Sequence, residues 1–187
     1  MLDAVFQLDR EILIFLNNLG SEQWDSFWLY VTNQFHWSPL FAFLLFIFFY
    51  KFGWKNALIL VLFVAAMVAF SDQFTNLIKH TFERTRPCNE ETLVGLIRDF
   101  TYKPRGFSYY SGHAALSTTF AVFTILILRK YSKWIYLFVL FPLIFGYSRI
   151  YLGVHYPLDI LSGYIAGIII GCLFYKLQKA LKVTTRF

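Results

Sequence analysis

Long stretches of this chain contain no Asp, Glu, Lys or Arg. They run from just after Asp25 to just before Lys51, from Asn56 to Ser71, from Gly106 to Leu128, from Ile135 to Ser148, and from Ile160 to Tyr175. A helix that spans a bilayer needs about 20 mainly apolar residues, and roughly 17 at minimum. Several of the runs reach that length by taking in polar residues at their ends. The pattern predicts five spanning helices, over about 37–52, 56–79, 111–129, 133–150 and 157–177. Composition agrees. Apolar residues other than glycine make up 58% of the chain, and charged residues only 15%. Soluble domains hold about 45–50% apolar residues even with glycine counted.

Charge placement orients the bundle. Lys51 and Lys55 flank one tight turn, Arg129, Lys130 and Lys133 fill another, and Lys176, Lys179, Lys182 and Arg186 mark the C-terminus. With five spans these clusters share one face, which the positive-inside rule assigns to the cytoplasm. The net charge of +6 is therefore a topology signal, and no nucleic-acid partner is expected. The other face, extracytoplasmic, receives the N-terminal segment, the loop 80–110 and the turn from Leu152 to Tyr156. That loop carries Arg84, Arg86, Arg98, Lys103 and Arg105 against the usual bias, which implies a separate task for its cations.

Ahead of the first span, residues 2–20 mix Phe6, Ile12, Leu13 and Phe15 with too many charges to cross a membrane, and residues 21–35 add Trp24, Phe27, Trp28 and Tyr30. Two amphipathic helices lying at the interface are expected there. The early Asp3, Asp9, Arg10 and Glu11 argue against a cleaved signal peptide. The fold class is an all-α integral membrane helical bundle forming a single domain. Residues 1–36 are the interfacial part, and 37–187 the transmembrane bundle. Cys88 and Cys172 have no disulfide or metal spacing.

Three polar clusters converge on the outer face. Lys79, Arg84 and Arg86 leave the second span, and Ser111, Gly112 and His113 open the third. Arg149 ends the fourth, and His155 and Asp159 begin the fifth. Guanidinium groups match phosphate oxygens, and a Ser-Gly helix start offers a hydroxyl and free N–H groups to an anion. Two histidines beside a phosphate suit a nucleophile and a general acid. Asp159 stands one helical turn after His155 and can fix its tautomer. Together these parts predict phosphoryl transfer through a phosphohistidine. On the second span Asp72, Asn76 and Lys79 share a face, where Asp72 is expected to partner a nearby cation.

The same residues carry a resemblance to the membrane type 2 phosphatidic acid phosphatases, which share their site pattern with vanadium haloperoxidases. The stretch "KHTFERTRP" from Lys79 to Pro87 is similar to the family's first motif, K-x6-RP. "SRIYLGVHYPLD", from Ser148 to Asp159, is similar to its third, SR-x5-H-x3-D. The middle motif, PSGH, reads "YSGH" here, with Tyr110 in place of proline. The resemblance implies His155 as nucleophile, Asp159 as its orienting partner and His113 as proton donor to the leaving group. Lys79, Arg86, Ser111, Gly112 and Arg149 would hold the phosphate. It implies neither metal nor other cofactor. The expected function is a lipid phosphatase of the cell (inner) membrane, acting at the extracytoplasmic face on a lipid phosphate or diphosphate. Undecaprenyl diphosphate is favoured over phosphatidylglycerol phosphate, phosphatidic acid and lipid A phosphates. The alternatives are a lipid-to-lipid phosphotransferase, and a transporter with Arg149, His155 and Asp159 as a relay.

Overall fold

The computed structural model describes residues 2–181, so Lys182 and Arg186 of the C-terminal basic cluster lie outside it. Among these residues every regular element is helical: α1 (Leu2–Asn18), α2 (Glu22–Thr32), α3 (Ser38–Phe82), α4 (Gly112–Leu128), α5 (Leu140–Tyr151) and α6 (Pro157–Ala180), joined by short 3-10 turns. Three segments, 34–82, 133–151 and 157–180, are long and apolar enough to cross a membrane, and α4 is a shorter apolar helix.

The first two expected spans are one continuous element interrupted at Gly53, whose φ of 70° and ψ of 165° are not helical. Left-handed φ is cheap only for glycine. Phe41, Leu44 and Phe48 of the first arm line the same cavity as Val61, Val64 and Val68 of the second, so the chain folds back at Gly53. The turn sits beside the other basic connection: Phe52 meets the Tyr131 ring edge-on at 5.6 Å, and Lys51 lies 5.7 Å above that ring. The fourth span starts differently from expectation. Residues Lys133–Val139 form a 3-10 helix, and the α-helix begins at Leu140.

At the centre, α4 and α6 lie against each other more closely than their side chains would ordinarily allow. A Cβ on Gly163, Gly167 or Gly171 would fall 2.7, 2.5 or 2.8 Å from the carbonyl oxygens of Ser111, Ala115 and Thr119. Small residues four apart let two backbones meet in this way inside a membrane.

The N-terminal helices pack against the rest of the chain through an unusual face. In α1 the buried stripe is Asp9, Leu13 and Asn17, four residues apart, while Val5, Phe6, Leu8 and Phe15 point outward. This face holds down the loop that follows α3. Arg10 donates to the Thr92 carbonyl, Asn18 to that of Leu96, and the Asn17 side chain accepts from Arg98 N–H. From α2, Asp25 pairs with Arg98 at 2.7 Å, and Trp28 stacks on Tyr151. The basic loop is thereby explained in part: Arg84, Arg98 and Lys103 each have a carboxylate partner.

Candidate active site

One end of the bundle gathers the residues the motifs singled out. Tyr156 N-caps α6 and Pro157 opens it, an arrangement suited to a first turn. The capping box places the Asp159 carboxylate back toward the preceding loop, where Tyr156 N–H donates to it at 2.9 Å. The fully buried Asp159 also accepts from Arg84 Nη1 at 2.8 Å and from Ser108 Oγ at 2.8 Å. Its Oδ2 stands 3.4 Å from His155 Nδ1.

His155 is 1% exposed. Arg86 Nη1 donates to its Nε2 at 3.1 Å. A donor at Nε2 and an acceptor at Nδ1 assign the neutral tautomer, with the proton on Nδ1 and the lone pair on Nε2, where it accepts from Arg86. Burial, then the charges of Arg149 and Arg86, hold the imidazole well below its ordinary range and keep it neutral.

Lys79, Arg86 and Arg149 are held by hydrogen bonds to backbone oxygens and hydroxyls. Lys79 Nζ donates to the Phe107 carbonyl at 2.6 Å, and Arg86 Nε to that of Gly106 at 3.0 Å. Arg149 is 1% exposed; its Nη1 donates to Thr32 Oγ1 at 2.6 Å and to Tyr102 Oη at 3.3 Å. Its Nε is buried with no hydrogen-bond partner among the described residues. Such an orphan donor is costly unless a ligand meets it.

Ser111 caps α4 by accepting from Ala114 N–H at 3.3 Å, and its own N–H donates to the Asp159 carbonyl at 3.0 Å. The helix start is thus pinned to α6 although Tyr110 replaces the motif's proline. Tyr110 is buried against Thr75, whose hydroxyl lies 3.2 Å from its own. Gly112 fits here because a Cβ would lie 2.9 Å from Thr75 Cγ2. His113 follows, its ring 5.3 Å from that of Phe145.

Lys79, Arg86, Gly112, His113 and His155 all line one cavity of about 880 Å³. Its remaining wall is mostly apolar and runs down between the arms of α3 to Phe48 and Val61. Asp72 and Asn76 lie on that wall too. The expected cation beside Asp72 is absent among the described residues; its partner is the Asn76 amide at 3.5 Å. The reason is register: Lys79 stands two turns further on, committed to Phe107. Of the loop cations only Arg86 and Arg105 reach the cavity.

Asp9, Arg84 and Thr32 belong to this network but occupy no defined position of the motifs. Arg84 bridges Asp159 and Asp9 of α1 through its two Nη atoms, at 2.8 and 2.7 Å, and Asp9 also accepts from Leu158 N–H at 2.8 Å. Thr32 of α2 holds Arg149.

An apolar groove that ends in clustered cations fits an amphiphile with a phosphate head, and the class of protein it defines is a membrane-embedded lipid phosphatase. Residues 57–182 match the PAP2 superfamily, and the chain belongs to it. It is 36% identical over 193 residues to a lipid A 4'-phosphatase of Bacteroides thetaiotaomicron, covering 100% of this chain and 83% of that protein. It is 32% identical over 168 residues to an undecaprenyl-diphosphatase of Sulfolobus acidocaldarius, covering 89% and 69%. The crystal structure of LpxE from Aquifex aeolicus is similar with a TM-score of 0.67 at 26% identity, covering 90% of this chain and 95% of that one.

Proposed function

We propose that this phosphatase removes a phosphate from a lipid headgroup at the extracytoplasmic face, through a phosphohistidine on His155. The observation that carries the reading is His155 itself: neutral, with Nε2 facing the cation-lined end of an apolar cavity and Nδ1 backed by a buried carboxylate. In the first step the Nε2 lone pair attacks phosphorus and the bond to the lipid oxygen breaks. His113 gives its proton to that oxygen, and the lipid leaves as an alcohol, or as a monophosphate if the substrate was a diphosphate. In the second step water attacks phosphorus, His113 takes its proton, the P–N bond breaks and inorganic phosphate departs. Lys79, Arg86, Arg149 and the Ser111–Gly112 turn hold the equatorial oxygens as charge develops. Asp159 stabilises the positive charge His155 gains on phosphorylation.

As substrate, a glycolipid phosphomonoester of the lipid A type is favoured. The relative of that name aligns with the whole chain, including the N-terminal helices that reach the site. Asp72 and Asn76 add hydrogen-bonding groups to the groove below the cations, which a sugar or amide could use and a polyprenyl chain could not. Undecaprenyl diphosphate is the second reading, favoured by Arg105 on the cavity wall as a cation for a second phosphate.

Phosphate release from lipid A, undecaprenyl diphosphate, phosphatidylglycerol phosphate and phosphatidic acid in detergent micelles tests both readings. Wild-type turnover in His155→Ala would sink the mechanism. Phosphate appearing on an added acceptor lipid, with none released as free ion, would mean a phosphotransferase. For sidedness, a Val94→Cys variant in a cysteine-free background should react with an impermeant maleimide in intact cells. Val94 is 81% exposed on the loop over the site, and labelling only after lysis would reverse the orientation.

A further inference from the structure

We propose that Asp9, on the N-terminal helix outside the region matched to the superfamily, is a positioning residue that sets the charge behind the nucleophile. The inference rests on the reading of His155 as nucleophile. Asp9, Arg84 and Asp159 form one chain of contacts, with the guanidinium placing Nη2 2.7 Å from Asp9 and Nη1 2.8 Å from Asp159. Asp9 is 2% exposed, Asp159 is fully buried, and α1 comes to α6 a second time through Leu158 N–H on Asp9.

Charge counting gives the arrangement its meaning. Were Arg84 paired with Asp159 alone, the two would cancel, and His155 would gain positive charge on phosphorylation with no net counter-charge behind it. With Asp9 on the other fork the trio carries one net negative charge. Burial, with the nearby Asp159 charge, raises the Asp9 carboxyl above its ordinary value, and the hydrogen bonds from Arg84 and the Leu158 amide favour its ionised form against that rise. The other groups facing His155 are cationic or neutral: Lys79 from α3, Arg86 from the loop, His113 from α4 and Arg149 from α5. The acidic trio is the counterweight to those cations. Asp9 supplies one of its two anions from 150 positions away in the chain.

The test compares Asp9→Asn, Arg84→Gln and the double variant with the wild type, measuring kcat, KM, the acid limb of kcat/KM and thermal stability on one lipid phosphate in micelles. The substrate's own titration is common to all four, so differences between them belong to the enzyme. The net charge of the trio becomes zero in Asp9→Asn, minus two in Arg84→Gln and minus one again in the double variant. The expected order of the acid limb is therefore Asp9→Asn lowest, Arg84→Gln highest, and the double variant near wild type. In Asp9→Asn kcat should fall by about tenfold with KM within about twofold, less than the roughly hundredfold that misplacing a reacting group can cost. Asp9→Glu should recover most of the rate, and Asp3→Asn, the same charge change at an exposed position of α1, should leave kcat and the limb unmoved. A merely structural brace would lower stability and rate together and leave the limb in place. That outcome, wild-type behaviour of Asp9→Asn, or limbs of both single variants moving in the same direction overturns the proposal. If Asp9→Asn does not fold, an acid limb in Arg84→Gln at or below the wild-type position overturns it as well. An active His155→Ala would instead remove the nucleophile reading, and Asp9 would then have nothing to position.

Discussion

At the scale of single residues, the site depends on keeping one imidazole uncharged among cations. The sign of the pH dependence follows. In the proposed mechanism the attacking form of His155 is neutral; its folded pKa is lowered, so that form is fully present at and above the ordinary imidazole value of about 6.5. That form is lost as pH falls through the lowered value. The acid limb of kcat/KM, which reports the free enzyme, is expected below pH 6.5; a limb above it would contradict the environment described here. Arg149 carries a second expectation. Its buried Nε has no partner among the described residues, and a lysine cannot replace a forked donor. Arg149→Lys should lower kcat/KM by about tenfold to a hundredfold, the loss of one or two charge-assisted hydrogen bonds, and an unaffected kcat/KM would mean that Arg149 only holds Thr32 and Tyr102. These residues were legible in the sequence because each sits next to a helix end in a short motif. Asp9 was not. It read as a charge that forbids a span, and Arg84 read as one of the cations leaving the second span with no carboxylate assigned to it, because 75 positions separate the two.

At the scale of elements, the bundle stands on the contact between α4 and α6. The signal for it was present in the sequence as three glycines four apart, Gly163, Gly167 and Gly171, but the charge-free run drew attention to length and away from shape. Gly167→Ala is expected to push its new methyl into the Ala115 carbonyl and cost roughly 1–3 kcal/mol, as overpacking does. The check is a lower melting temperature in detergent, and an unchanged one would mean that the helices part without penalty. Element boundaries were less legible than element existence. The break at Gly53 was placed correctly as a turn because glycine stood between two lysines, whereas the 3-10 start of the fourth span has no local cue. The N-terminal helices were recognised as amphipathic, yet the polar stripe of α1 faces the protein, since its partners lie in a loop that periodicity does not see.

For the molecule as a whole, the cavity joins a polar end to an apolar groove. Its upper end is lined by cations, and its lower wall by Phe41, Leu44, Phe48 and Val64. Leu44→Trp should fill part of the lower wall and raise KM for a long-chain lipid phosphate several-fold, while leaving hydrolysis of a short-chain water-soluble phosphate ester unchanged; equal effects on both would show that the groove does not hold the tail. The fold-back at Gly53 that builds this wall also sets how such an enzyme meets its substrate. A chain lodged between the arms of α3 comes from the bilayer and returns to it, whereas the freed phosphate goes to water. The two products thus part into different phases. The quantity governing turnover is then surface density, so inert phospholipid added to the same amount of substrate slows the enzyme by dilution in two dimensions.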